Sequence, residues 1–238
     1  MTRDPAVSSG AASAYSGVDS LEVMDEAVNY NAFLRGLVSA RARPGDRILD
    51  FGAGSGMMAL PLAAAGCDVR CVEPDDGLRA RLRAGGIEAH AAIDAIPPDS
   101  LDLIYTLNVL EHIPDDLAAV RALRERLKPG GRLLVYVPAF PVLYSSMDRK
   151  VGHVRRYRRA GLEALLRQGG FAVERVRYQD SLGFAATLAF KLAGNDSGAI
   201  NRGALIAYDR LVFPLSRRLD RLFGPWFGKN LLALAHRA

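Results

Sequence analysis

Apolar runs alternate with helical patterns from residue 47 to 178, the signature of repeated βα units and a parallel sheet. Arg47-Ile48-Leu49-Asp50-Phe51 predicts a first strand, announced by the Pro44-Gly45 turn. A helix over Met57 to Ala65 should stop at Gly66, and one over Asp75 to Ala84 at Gly85-Gly86. Strands are predicted over Asp68 to Glu73, Ile87 to His90, Leu101 to Leu107 and Arg132 to Val137. A helix over Pro114 to Leu127 precedes Pro129-Gly130-Gly131.

Beyond that the pattern changes. Residues 138–158 hold two prolines, many basic residues and no clean periodicity, and are expected to form an irregular, lid-like segment. Arg159 to Gln168 predicts a helix, Phe171 to Tyr178 a sixth strand, 180–228 a helical insertion, and Asn230 to Arg237 a strand returning to the sheet. In the insertion, Ile200, Ala204, Leu205, Tyr208, Leu211, Val212, Leu215, Leu219, Leu222 and Phe223 recur at helical spacing. Arg202, Arg210, Arg217, Arg218 and Arg221 lie mostly off that stripe. Such a stripe is expected to pack on its own domain. The alternative is peripheral membrane contact through residues 199–223, which the basic flank suits. Pro214 should kink or split the helix.

The chain has 238 residues, enough for one α/β domain with its own core. A flexible tail is expected over residues 1–20, rich in Ser, Ala and Gly, and one domain over 21–238. No signal-peptide pattern or membrane-length apolar run stands out, so a cytoplasmic location is expected, with membrane-peripheral contact as the variant. Cys67 and Cys71 fall four apart as small core residues rather than a disulfide framework, and no metal site is expected. Net charge is +5, with 14 Lys or Arg against 5 acids between Arg121 and Asp180. That excess marks either a solvated Arg-rich face or an anionic partner.

The strongest motif is Asp50-Phe51-Gly52-Ala53-Gly54-Ser55-Gly56, between the first strand and the helix after it. Glycines there let the backbone turn sharply and approach a ligand closely, at the carboxyl ends of the strands where doubly wound sheets bind ligands. The dinucleotide fingerprint needs its third glycine three positions after the second. Here Met57 holds that place. The carboxylate of Asp50 would repel a pyrophosphate and suits an ammonium or sulfonium.

Asp50 to Gly56 resembles motif I of the class I S-adenosylmethionine-dependent methyltransferases. Supporting pieces follow in order: Glu73 ends the second strand, where the family uses an acid on the ribose hydroxyls, and Asp94 follows the third, near the adenine position. Asn108-Val109-Leu110-Glu111-His112-Ile113 resembles the segment beneath the cofactor, and Lys128-Pro129-Gly130-Gly131-Arg132-Leu133 the turn into the fifth strand. The resemblance implies an α/β, Rossmann-like, doubly wound fold: a mostly parallel seven-stranded sheet with an antiparallel last strand and a helical insertion before it. It implies S-adenosyl-L-methionine as cofactor, contacted by Tyr30, Asp50, Gly52, Ala53, Gly54, Gly56, Glu73, Pro74, Asp94, Ala95, Asn108 and Val109.

A narrower likeness joins Asn29-Tyr30-Asn31-Ala32-Phe33-Leu34, the segment from Asp148 to Tyr157 with its Gly152-His153-Val154-Arg155-Arg156-Tyr157, and the stretch from Gly228 to Leu232 to a subgroup of bacterial small-molecule methyltransferases. It departs at Phe33, where Trp is expected, and at Lys229-Asn230, where apolar residues are more usual. A hydroxyl acceptor gains from a group that removes its proton. The catalytic candidates are His153, His112 and Tyr157, with Glu111 as a further base and a packing role open for His112. Arg155 and Arg156 are candidates for gripping an anionic substrate. The expected reaction is methyl transfer, at oxygen, to a small or lipid-linked anionic metabolite. A nucleic-acid methyltransferase and a non-catalytic cofactor-binding regulator are the alternatives. Nucleic acid is disfavoured because no Asn/Asp-Pro-Pro-aromatic motif and no added recognition domain are seen.

Overall fold

Strands whose two faces are both covered by helices read as near-continuous apolar runs, and the buried middles of the central strands here do so. In β5, Leu133, Leu134, Val135, Tyr136 and Val137 are all fully buried. The computed structural model describes residues 24–192 and 202–238. The predicted tail over residues 1–20 and Ile200 lie outside the described residues.

Seven strands, β1 (Arg47–Phe51), β2 (Asp68–Val72), β3 (Glu88–His90), β4 (Leu101–Leu107), β5 (Leu127–Pro138), β6 (Phe171–Gln179) and β7 (Asn230–Arg237), form one sheet in the order β3-β2-β1-β4-β5-β7-β6. β1 to β5 pair in parallel, while β7 runs antiparallel between β5 and β6. This is the expected Rossmann-like sheet with a reversed last strand.

Helices α1 (Val28–Ser39), α2 (Ala59–Ala64) and α3 (Asp76–Ala84) carry one face, where Leu34, Val38, Leu62 and Leu82 meet Ile48, Leu103, Tyr105 and Tyr136. Helices α4 (Asp116–Arg126) and α6 (Arg159–Gln168) carry the other, where Val120, Leu123, Leu162 and Leu166 meet Leu49, Ile104 and Val135. Cys71 is buried in the first of these clusters. Cys67 packs against it from just before β2, and both thiols are free.

Most boundaries fall within two residues of the pattern, and three differences bear on the site. The helix expected from Met57 starts at Ala59, because Gly54 to Met58 are taken up by the turn of the glycine loop. β5 starts at Leu127, which pairs with Leu101 before the register jumps to Leu103 and Arg132, so the Pro-Gly-Gly turn bulges inside the strand. The 138–158 segment is more ordered than its periodicity implies. It contains a 3-10 turn at Pro141–Leu143 and α5 (Ser146–Lys150), started by a capping box between Ser145 and Asp148.

The insertion comprises α7 (Ser181–Leu192), α8 (Arg202–Ala207), a π turn over Tyr208–Val212 and α9 (Phe213–Phe223). The π turn ends as Pro214 enters the first turn of α9, where a missing N–H breaks no helical bond. Part of the apolar stripe packs on the domain, with Leu205, Tyr208, Val212, Leu219 and Phe223 half-buried, but Leu211, Leu215 and Leu222 are exposed. The inward face consists of Asp209, Phe213, Ser216 and Asp220.

Those polar residues face inward because they cap other helices. α1 has no side-chain cap of its own. Asp209 supplies one from 180 residues away, accepting the Asn29 and Tyr30 N–H groups at 2.9 and 2.8 Å. Asp220 accepts the N–H groups of Asp180 and Ser181, both at 2.8 Å, and Ser216 Oγ that of Leu182 at 3.0 Å, at the start of α7. Among the described residues, no helix is long and apolar enough to cross a membrane.

Asp209→Ala leaves two partly buried N–H donors without their side-chain partner at a positive helix end. It should destabilise the protein by about 2 kcal/mol and lower Tm by roughly 4–8 °C. A thermal melt unchanged within about 1 °C would show that the cap contributes nothing.

Candidate cofactor and acceptor site

The glycine loop leaves β1 at the carboxyl edge of the sheet. Gly52, Gly54 and Gly56 have φ of 83°, 54° and 82°, conformations that side chains with a Cβ rarely adopt. A Cβ on Gly52 would stand 2.3 Å from Val109 Cγ2, so the loop can lie against the segment after β4 only with glycine there. Asn108, itself at φ 56°, turns that segment by donating its N–H to Tyr136 O at 2.7 Å. The sequence placed Gly52 and Val109 at one ligand, and the fold brings them into contact.

Two acids stand behind the loop. Glu73, buried, accepts the Gly54 N–H at 2.8 Å and the Asp75 N–H at 2.9 Å, one on each carboxylate oxygen. Asp50 accepts the Tyr105 hydroxyl at 2.8 Å. Burial pushes the Asp50 carboxyl up, the Tyr105 hydrogen bond offsets part of this, and the Glu73 charge adds to it, giving about 7. Sequence reasoning missed Tyr105, although its place in the strand beside β1 was a usable signal.

The other expected cofactor residues are less uniform. Tyr30 presents its hydroxyl to Asn108 Nδ2 at 3.4 Å and packs edge-on against Tyr136 and Phe213. Phe33 lies on the same aromatic wall, with the Arg217 guanidinium 3.6 Å from its ring centroid. Ala53 donates its N–H to Val72 O, which ties the loop to β2. Pro74 follows Glu73 at the surface. Asp94 and Ala95 occupy an exposed 3-10 turn, where Asp94 forms an ion pair with Arg126 at 3.3 Å. An open cleft of about 370 Å³, lined in part by Asn31, Arg35, Ser55 and Met57, lies between α1 and the loop. The glycine-rich loop, the acid spanning Gly54 and Asp75, and the cleft beside them fit an adenosyl-amino-acid cofactor.

Farther along the same edge, the turn after β4 meets the segment after β5. Glu111 is fully buried, and neither carboxylate oxygen has a hydrogen-bond partner. Burial drives its pKa up to about 8, against the pull of Arg156. His153 Nε2 lies 3.8 Å from Glu111 Oε1, and His153 Nδ1 lies 2.7 Å from Asp148 Oδ1. His112 sits edge-on to His153 with centroids 4.7 Å apart. Burial, and then the neighbouring His153, press its pKa down to about 4.

The remaining expected residues stand apart from this centre. Tyr157 donates its hydroxyl to Leu110 O at 3.1 Å and Asp116 Oδ2 at 2.8 Å, bracing the turn from behind. Arg155 pairs with Asp116 at 2.6 Å, and Arg156 with Asp148 at 2.8 Å, so both guanidinium groups are engaged within the chain. The sequence places Asp148 at the start of the Asp148 to Tyr157 segment without assigning it a role, and the structure shows it holding both His153 and Arg156.

Gly52→Ala should force Val109 aside and strain the loop, weakening cofactor binding by about tenfold or more. Adding Val109→Ala should recover part of the loss. Calorimetry on both variants checks this, and unchanged affinity in Gly52→Ala would show that the contact does not shape the site.

A protein-family profile described as "Methyltransferase domain" matches residues 23–176. A ubiquinone biosynthesis O-methyltransferase of Xanthomonas campestris is 35% identical over 109 residues, 41% of this chain. The match spans 46% of that relative's length, so the chain covers about half of the curated relatives it matches. Among solved structures, an S-adenosylmethionine-dependent methyltransferase from Mesorhizobium loti superposes with a TM-score of 0.57 at 23% identity, covering 85% of this chain and 96% of the other. One from Archaeoglobus fulgidus gives 0.60 at 17% identity, over 89% and 94%. With the profile spanning well over half the chain, the protein belongs to the S-adenosylmethionine-dependent methyltransferases of the methyltransferase-domain family.

Proposed function

We propose that the protein methylates an oxygen of a small or lipid-linked, anionic metabolite. The observation that carries this reading is the Glu111–His112–His153 centre, a polar cluster with an orphaned carboxylate at the same sheet edge as the glycine loop. S-adenosylmethionine supplies an activated methyl group, and the chain's task is to hold the acceptor in line and dispose of its proton. An acceptor hydroxyl facing this centre meets the His153 imidazole, able to draw its proton away, with His112 and Glu111 beside it. Asp148 orients the His153 ring. The 35% identity to an O-methyltransferase supports oxygen as the acceptor atom.

Two surfaces support the substrate class. Lys229 lies where β7 enters the sheet, hydrogen-bonded through its backbone to Asp180 and Ala139. Among the described residues, no hydrogen bond or ion pair engages its ammonium, and burial lowers its pKa. It suits an anionic group on the substrate better than the two internally paired arginines do. The exposed Leu211, Leu215, Leu222 and Trp226, bordered by Arg210, Arg218 and Arg221, form an apolar edge with a basic rim. That chemistry suits docking on an anionic lipid surface, from which a lipid-linked acceptor would be drawn.

Assaying the protein with S-adenosylmethionine across a panel of anionic hydroxyl metabolites and lipids should reveal a product heavier by about one methyl group. His153→Ala should abolish this turnover while leaving cofactor affinity intact. Full activity in the variant would remove the centre from the chemistry.

Asp50 makes a pH prediction. The cofactor's cationic amino-acid portion favours an ionised Asp50, and the free protein increasingly protonates Asp50 below about 7. Cofactor affinity should therefore fall as pH drops from about 8 to about 6, by at most about tenfold per unit. Asp50→Asn should flatten that slope, and an equal slope in both proteins would exclude Asp50 as its source.

A further inference from the structure

We propose that Glu111, His112 and His153 bind a single divalent transition-metal ion. One ligating atom from each lies within 4.8 Å of the others. His112 and His153 are separated by 41 positions in sequence and meet only because the 138–158 segment folds back over the turn after β4. Val154 N–H donates to Glu111 O at 2.8 Å and pins the two segments together.

Three features favour an ion over a hydrogen-bonded cluster. First, Glu111 is fully buried with no hydrogen-bond partner on either oxygen, and its ionised form would need a cation beside it. Second, the spacing is wrong for a hydrogen bond, since Glu111 Oε1 and His153 Nε2 are 3.8 Å apart. Two ligands each about 2.1 Å from a shared ion stand roughly 3–3.5 Å apart, so a small inward shift would complete the contact. Third, both imidazoles are oriented from behind. His153 Nδ1 is held by Asp148 at 2.7 Å, and the His112 ring hydrogen-bonds to the Gly152 backbone. A carboxylate or carbonyl fixing a ligand histidine through its second nitrogen is the arrangement found behind metal-bound imidazoles.

Two imidazoles and one carboxylate suit ions such as Zn²⁺ or Mn²⁺ better than Ca²⁺, which takes oxygen ligands. Three protein ligands leave positions open for an outside oxygen, as in catalytic rather than structural sites. If the acceptor is a hydroxyl, which rests on the proposed function, an ion here would hold it and lower its pKa.

The test begins with metal alone. The chelator-stripped full chain is titrated with Zn²⁺ and with Mn²⁺ by calorimetry, and the Mn²⁺ form is examined by pulsed EPR. The expected result is one ion per chain with imidazole nitrogens coupled to it. Binding should be lost in Glu111→Gln and His153→Ala and weakened about tenfold in Asp148→Asn, with S-adenosylmethionine affinity retained as the check on folding. A wild-type protein that binds no stoichiometric ion, or an EPR spectrum without imidazole coupling, overturns the site whether or not the variants fold. Equal metal binding in variants that still bind cofactor overturns it as well. Stoichiometric binding in a protein that methylates no hydroxyl would leave the metal site standing and count against the proposed function instead.

Discussion

Covering both faces of the sheet confines polar chemistry to its edges, and this constraint governs where everything else in the protein can lie. Strands such as β4 and β5 hold almost nothing but apolar side chains along their buried lengths. A carboxylate in the middle of such a layer would have no partner within reach. The acids that matter therefore collect at the carboxyl ends of the strands: Asp50 and Glu73 behind the glycine loop, and Glu111 in the turn after β4. Asp180 sits at the end of β6, where the insertion covers it.

These buried carboxylates are stabilised in different ways, and the differences mark their roles. Asp209 and Asp220 each take two helix N–H groups, a charge-assisted arrangement that holds α1 and α7 in place. Asp148 is paired with Arg156 and His153. Although its burial works the other way, these partners and the Ser145 N–H hold its pKa down to about 2. Glu111 has no comparable partner, and its pKa moves the other way. A fold that satisfies its structural acids this thoroughly has left one carboxylate open at the site where chemistry is expected.

The capping aspartates also link the insertion to the cofactor side. Asp209 holds the first turn of α1, and that helix carries Tyr30 and Phe33 to the aromatic wall beside the glycine loop. The outward-facing leucines of the insertion thus lie on an element whose inner face positions the cofactor pocket.

Features that depend on neighbours along the chain are legible in the amino-acid order alone. The alternation of strands and helices, the Asp50-to-Gly56 spacing, and Glu73 nineteen residues beyond Gly54 all follow from local periodicity and turn chemistry. The capping of α1 by Asp209, the Tyr105 hydroxyl on Asp50 and the meeting of His153 with Glu111 are not legible there. Each joins elements whose distance depends on sheet order and on how a connecting segment folds back. The outward turn of Leu211, Leu215 and Leu222 escapes a sequence pattern for the same reason. Periodicity shows that a helix has an apolar face, but packing settles whether a domain or its surroundings receives it. Short-range patterns are therefore enough to specify the sheet and the cofactor loop. The Glu111–His112–His153 cluster comes from the folded chain, because its groups converge only where two distant loops cross the same edge.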